Sequence, residues 1–292
     1  MVVPVGRLLL LILLGACLLA LPAEAQWRKP KAAPKKPAAV ESATTAQVAR
    51  LLQEGQELQD KYKESEALGK YEQALVQAPA TYEALWRAAV LSVRIGARYT
   101  DETRKMAYFS AARLYASRAL VVRPEGAEGN YAEALALANQ ATLLTARSRL
   151  LSYKEMKPYV FKAVAQRPGF APAWQLLGRW HYRVHHYNIL ERVFSRIFLG
   201  GMPSGASTKA AIEALTRAHE LEPARIEYAY DLARIYLNQG YQNQAVAVLQ
   251  DAVELAPVTA EELEISRRCR KLLIQLNRRL VKQVHRHLRG ID

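Results

Sequence analysis

His181, His185, His186 and Glu191 lie close enough along the chain to suggest metal chemistry. His181 and His185 are four residues apart, so on a helix their rings would project from one face and could share a cation. A zinc-type site needs three or four such ligands, and no cysteine or second histidine pair supplies the rest. No Glu follows His181, which excludes the H-E-x-x-H arrangement of a hydrolytic zinc site, so packed or solvent-exposed histidines are the expected reading. G-x-S-x-G, a phosphate-binding Walker loop, a Cys–His pair and a paired-carboxylate cluster are all absent from the sequence. Gly200-Gly201 reads as a helix stop. The expectation is a chain that is not an enzyme, with no catalytic residue, no metal and no cofactor.

Charge narrows the partner class. The net charge of +14 is concentrated at the two ends, with +5 over residues 26–40 and +8 from 266 to 292, leaving +1 for 41–265. A nucleic-acid module spreads cations over a folded face among stacking aromatics, so no nucleic-acid partner is expected. With 51% hydrophobic residues the chain can bury a real core. Cysteine occurs only at Cys17 and Cys269, too little for a disulfide framework.

The first 25 residues read as an address. Arg7 precedes an apolar run from Leu8 to Leu21, followed by Pro22 and Ala23-Glu24-Ala25, the layout of a secretory signal with an A-x-A cleavage site. The run is shorter than the ~20 residues a membrane-spanning helix needs. Leu14-Gly15-Ala16-Cys17 resembles a bacterial lipobox, so lipid anchoring through Cys17 is the alternative to release after Ala25. Either route exports the chain, to a periplasmic or secreted location. Residues 26–45 read as a Pro/Lys/Ala-rich linker, stiff and solvated.

The body, 46–258, is phased by its prolines. If Pro79 closes a helix pair, Gly55, Ala67, Tyr71 and Ala74 fall where two helices touch, and Pro257 places Tyr236, Ala245, Leu249 and Ala252 likewise. Pro124 keeps Ala112 and Ala119, and Pro168 keeps Ala163. Alanine lets helices approach, Leu or Tyr fills the adjoining groove, and proline stops the second helix. Pro223 and Pro257 are 34 residues apart, the length of a tetratricopeptide repeat, which these positions resemble. The intervals between Pro79, Pro124, Pro168 and Pro223 are 45, 44 and 55, so the middle units carry insertions and longer helices, with Asp101 capping a helix after an Arg98-Tyr99-Thr100 turn. The resemblance implies an all-α fold: a right-handed α-solenoid of about five helix pairs, interrupted at 185–207. A basic capping helix over 259–292 completes it, with Cys269, Leu272, Leu273, Leu276, Leu280, Val284 and Leu288 at helical spacing.

A second resemblance is more specific. Leu177, Gly178, Arg179 and Trp180, the Phe198–Pro203 turn, and Ala214, Ala218 and Pro223 are similar to the regulator of microtubule dynamics family, a group of tetratricopeptide-like helical proteins, over about 100–265. Leu199 departs from that family's turn, where a second aromatic would fit, and the N-terminal signal is of a different kind. An exported chain would not meet the family's microtubule or organelle contacts.

The repeat resemblance also implies a site. First helices of successive units line a concave groove, and the positions that face into it carry Trp86, Arg94, Tyr131, Asn139, Arg179, Tyr182, Arg183, Tyr230, Arg234 and Asn238. That aromatic and cationic set suits a protein or peptide partner with an acidic group or C-terminal carboxylate. The insert has its own stripe, Ile189, Leu190, Val193, Phe194, Ile197 and Phe198. Two exposed Phe side chains would be costly, so the stripe is expected to pack as extra core. The leading reading is an exported scaffold that binds a partner in its groove. The alternative is a membrane- or envelope-associated scaffold, touching an anionic surface with its basic ends and with 189–198. The sequence leaves the oligomeric state open.

Overall fold

The structure, a computed structural model, describes residues 38–289, with side chains from 45 to 282. The chain divides into two units, Met1–Glu41 and Ser42–Asp292. The signal expected over 1–25 and Cys17 lie outside the described residues. So does the linker up to Pro37. Helix begins at Ala38, inside the 26–45 stretch expected to be extended. No proline follows Pro37 there, and Ala38, Ala39 and Glu41 propagate a helix well.

Among the described residues all regular secondary structure is helical, and ten of the helices fall into five pairs. They are α1 (Ala38–Asp60) with α2 (Glu64–Gln77), α3 (Tyr82–Arg98) with α4 (Glu102–Val122), and α5 (Ala127–Gln140) with α6 (Ala146–Gln166). Next come α7 (Ala171–His185) with α9 (Thr208–Leu221), separated by the insert helix α8 (Ile189–Phe198), and α10 (Ile226–Asn238) with α11 (Gln242–Glu254). A long last helix, α12 (Ala260–Arg289), packs on α10 and α11. This is an all-α solenoid of tetratricopeptide-like pairs with a C-terminal cap.

The crossings follow from the small residues. Ala67, Ala74, Ala112, Ala119, Ala163, Ala211, Ala218, Ala245 and Ala252 are all fully buried. Close approach also relies on glycine: a Cβ on Gly55 would come within 2.7 Å of the Tyr71 ring, and one on Gly178 within 2.6 Å of Leu215 Cγ. Tyr71 fills its groove completely and donates its hydroxyl to Gln59 Oε1 at 2.7 Å.

The lengthened repeats are built as the spacing implies. Helices α4 and α6 each run for 21 residues. Helix α3 ends at Arg98, and Asp101 caps α4 by accepting from the Arg104 backbone N–H at 2.8 Å. In α12, Cys269 and Leu276 are buried against α10 and α11, with Leu272 and Leu273 beside them. Burial pushes the Cys269 thiol up to about 11, so it behaves as a small hydrophobe.

The insert corrects the sequence expectation. Ile189, Leu190, Ile197 and Phe198 are 78%, 80%, 66% and 63% exposed, and Val193 is half exposed. Of the six stripe residues only Phe194 packs against the core. The buried face of α8 is the polar one, Glu191 and Ser195. Three contacts fix that choice. Asn188 and Glu191 form a capping box, Arg183 from α7 pairs with both Glu191 oxygens, and Ser195 donates to the Gly201 carbonyl at 2.9 Å. Rotating the stripe inward would break the ion pair and leave Arg183 half buried without an acid. Gly200 and Gly201 take positive φ values of 70° and 102°, and the Gly201 N–H donates to the Ser195 carbonyl, ending the helix as a glycine stop should.

Candidate functional site

Five of the ten expected groove residues meet in one place. Arg179 and Tyr182 from α7 and Tyr230, Arg234 and Asn238 from α10 line a cavity of about 380 Å³, walled further by α12. Repeat geometry accounts for this. Arg179 and Tyr182 are three apart on α7, and Tyr230, Arg234 and Asn238 are four apart on α10, so each set projects from one face of its helix and both line the same cavity. Asn238 donates to the Tyr182 hydroxyl, joining the two helices at one rim. The Arg234 guanidinium lies over the Tyr230 ring at 5.7 Å.

Four other residues of the expected set sit outside this cavity. Trp86 is partly buried among the first repeats, with the Arg87 guanidinium over its ring at 4.8 Å. Arg94 pairs with the buried Glu64 at 3.0 Å. Tyr131 packs edge-on against Phe170 with centroids 5.1 Å apart. Burial pushes its phenol up to about 12, with Arg94 and Arg179 pulling it back and Glu227 adding to the rise. Asn139 turns back to donate to the Leu135 carbonyl of its own helix at 2.9 Å.

Arg183, the tenth, is a correction. It points away from the groove, into the insert, where it holds Glu191 and lies over the Tyr153 and Tyr187 rings. The hydrogen bond from Arg183 keeps the Glu191 carboxyl below the usual range against the opposing effect of burial. The residues weighed for metal chemistry separate too. His181 is buried edge-on between Trp180 and Phe161, and Glu191 is taken by Arg183. His185 and His186 are exposed at the end of α7. Among the described residues no group of three or more metal-ligating side chains occurs.

Pattern reading missed the acids. Asp231 accepts from Arg179 Nε at 2.6 Å and from Gln175 Nε2 at 2.8 Å, and Glu227 also lines the cavity. Arg268 of α12 reaches the wall but pairs with Glu264 at 3.0 Å. Two of the three lining arginines are therefore already paired with acids, and Arg234 is the lining arginine with no acid partner among the described residues. A signal existed: Glu227, Tyr230, Asp231 and Arg234 share one face of α10 at three- and four-residue spacing. Deciding which arginine Asp231 neutralises requires the fold, because Arg179 is 52 residues away.

The model of the family described as regulator of microtubule dynamics protein 1-3 matches residues 51–277, from α1 well into α12. The chain belongs to that family. Regulator of microtubule dynamics protein 3 of Bos taurus is 29% identical over 180 residues, 61% of this chain and 38% of the relative. Its counterpart in Xenopus laevis is 27% identical over 183 residues, 62% and 39%. The chain thus spans well under half the length of these relatives. Among solved structures, a thermophilic tetratricopeptide protein of Thermus thermophilus superposes with a TM-score of 0.57 at 20% identity, covering 78% of this chain and 99% of its own, which shows the shared fold.

The family-like residues have structural roles here. Gly178 lets α7 meet α9 at Leu215, and Trp180 is fully buried with its Nε1 donating to the Tyr153 carbonyl at 2.9 Å. Leu199, where an aromatic would fit the family turn, is buried in the central core, and its carbonyl accepts from Lys154. Within the family motif, Arg179 alone among these residues opens onto the cavity.

Proposed function

We propose that this chain is a non-enzymatic scaffold that binds an extended protein or peptide segment in its concave groove, anchoring an acidic side chain or C-terminal carboxylate on Arg234. The carrying observation is the cavity between α7, α10 and α12, in which Arg234 is left without an acid while Arg179 and Arg268 are already paired. A guanidinium beside an aromatic ring in a half-enclosed concavity favours a planar anion with an apolar neighbour. Tyr182, Tyr230 and Ile235 supply the apolar wall. No covalent step is required of any residue in it.

The test is a comparison of peptide libraries with free and amidated C-termini. Peptides retained through a free carboxylate or a penultimate acid support the reading; equal retention of amidated and uncharged peptides overturns it. Export belongs to the same proposal and rests on the Arg7, Leu8–Leu21 and Ala23-Glu24-Ala25 layout. Mass spectrometry of the mature chain should find Gln26 as its first residue. A lipid-modified Cys17 would put the scaffold on a membrane from its N-terminus, and an intact Met1 would refute export.

A further inference from the structure

The insert helix presents a ridge that the groove does not use. Leu190, Ile197 and Phe198 are each more than three-fifths exposed, and Met202 in the following turn is exposed as well. Side chains exposed to that degree stand proud of the surface, and neither described cavity is lined by a residue of α8. A protein partner would find no pocket here to fill, whereas a fluid acyl layer accommodates a ridge.

Charge around the ridge selects the occupant. Between His185 and Thr208 the sole acid is Glu191, and it is buried and held by Arg183. Among the described residues Arg192 donates to the Tyr187 and His185 carbonyls and pairs with no acid, and neither does Arg196. Arg147 of α6 lies over the Phe194 ring at 6.0 Å, adding a third cation beside the ridge. An apolar face flanked by unneutralised arginines, on a helix ~15 Å long by its rise per residue, is the composition of a helix that lies in the plane of an anionic bilayer surface. The inverted polarity of α8 acquires a reason. The capping box and the Arg183–Glu191 pair orient the helix so that its apolar side faces outward.

We propose that α8 is a membrane-surface docking helix, which inserts Leu190, Ile197 and Phe198 among the acyl chains of an anionic lipid layer while Arg192 and Arg196 contact headgroup phosphates. This does not rest on the groove: a peptide bound between α7 and α10 and a bilayer under α8 engage different residues.

The test is co-sedimentation of the chain with vesicles of phosphatidylcholine alone and of phosphatidylcholine mixed with phosphatidylglycerol. Because the basic ends also attract anionic vesicles, the deciding variant keeps every charge: Leu190→Ser with Ile197→Ser. Both side chains are exposed, so far-UV circular dichroism and the melting temperature should match wild type. We expect binding to mixed vesicles to fall by roughly tenfold or more, as removal of two large apolar contacts implies. Arg192→Ser with Arg196→Ser should weaken binding and flatten its salt dependence. Undiminished binding by the Leu190/Ile197 variant overturns the proposal in favour of the basic ends. Failure of wild type to bind mixed vesicles also overturns it, as does a wild-type dimer that the same variant dissociates, which would make a second copy the occupant.

Discussion

Arg179 and Arg183 sit one helical turn apart on α7, yet Arg179 reaches Asp231 across the groove and Arg183 reaches Glu191 in the insert. Periodicity gives both the same approximate face, and an offset of about 40° around the axis separates their partners. Arg234 is left as the groove cation with charge to offer. His181 shows the same limit from the other side. Its spacing to His185 allowed a shared ligand, but Trp180 and Phe161 enclose it and its Nδ1 is buried without a partner. Burial, and secondarily Lys157, holds the His181 pKa below its ordinary value, with Glu213 opposing. The folded state therefore takes up a proton less readily than the unfolded chain. Its contribution to stability is fully present above the unfolded pKa of ~6.5 and is lost as pH falls through the folded pKa. Melting temperatures at pH 7.5 and 5.0 should differ in wild type, with the lower value in acid, and His181→Gln should narrow that gap. Glu54, Glu191 and Glu261 have carboxyls held below their usual range and titrate beneath this window, whereas burial raises the Glu133 carboxyl, which adds stability as pH falls and so opposes the His181 effect. An unchanged gap would remove His181 as its cause.

At the scale of elements, the helix pairs were legible because each crossing leaves a residue-level mark: a buried alanine, a filling Leu or Tyr, and a closing proline. The insert was legible as a helix and as an interruption, but not in orientation. Six apolar positions in α8 outvote Glu191 and Ser195 in any pattern, whereas one capping box and one ion pair to the preceding helix outweigh them in the fold. Removing that anchor should loosen α8 without unfolding the solenoid. Glu191→Ala loses half the capping box and the partner of a largely shielded arginine, costing the insert about 1–2 kcal/mol of local stability. Tryptic cleavage after Arg192 and Arg196 should then accelerate by roughly tenfold while the main melting transition moves little. A large global loss with no local change would mean that α8 is integral to the core.

For the whole molecule, the sequence located the charge correctly and interpreted the groove too simply. The excess cations lie toward the two ends, and the groove balances most of its own with acids from other helices. Helix α12 caps the last repeat, walls the cavity, and sends Glu261 to Arg98 on α3 and Glu262 to Arg225, so it ties distant repeats together. Long-range closure of that kind has no period in the sequence; it depends on how the pairs curve. The family model matches from within α1 to within α12, while the aligned part spans under half of the relatives' length, so the function is to be sought in the groove of this chain. Its most direct measurement is the affinity of one retained peptide, with free and amidated C-terminus, for wild type and for Arg234→Met. Arg234→Met should lose about tenfold or more, as for a charge-assisted contact, for the free carboxylate and almost nothing for the amide. Equal losses for both peptides, or none for either, would contradict carboxylate anchoring on Arg234.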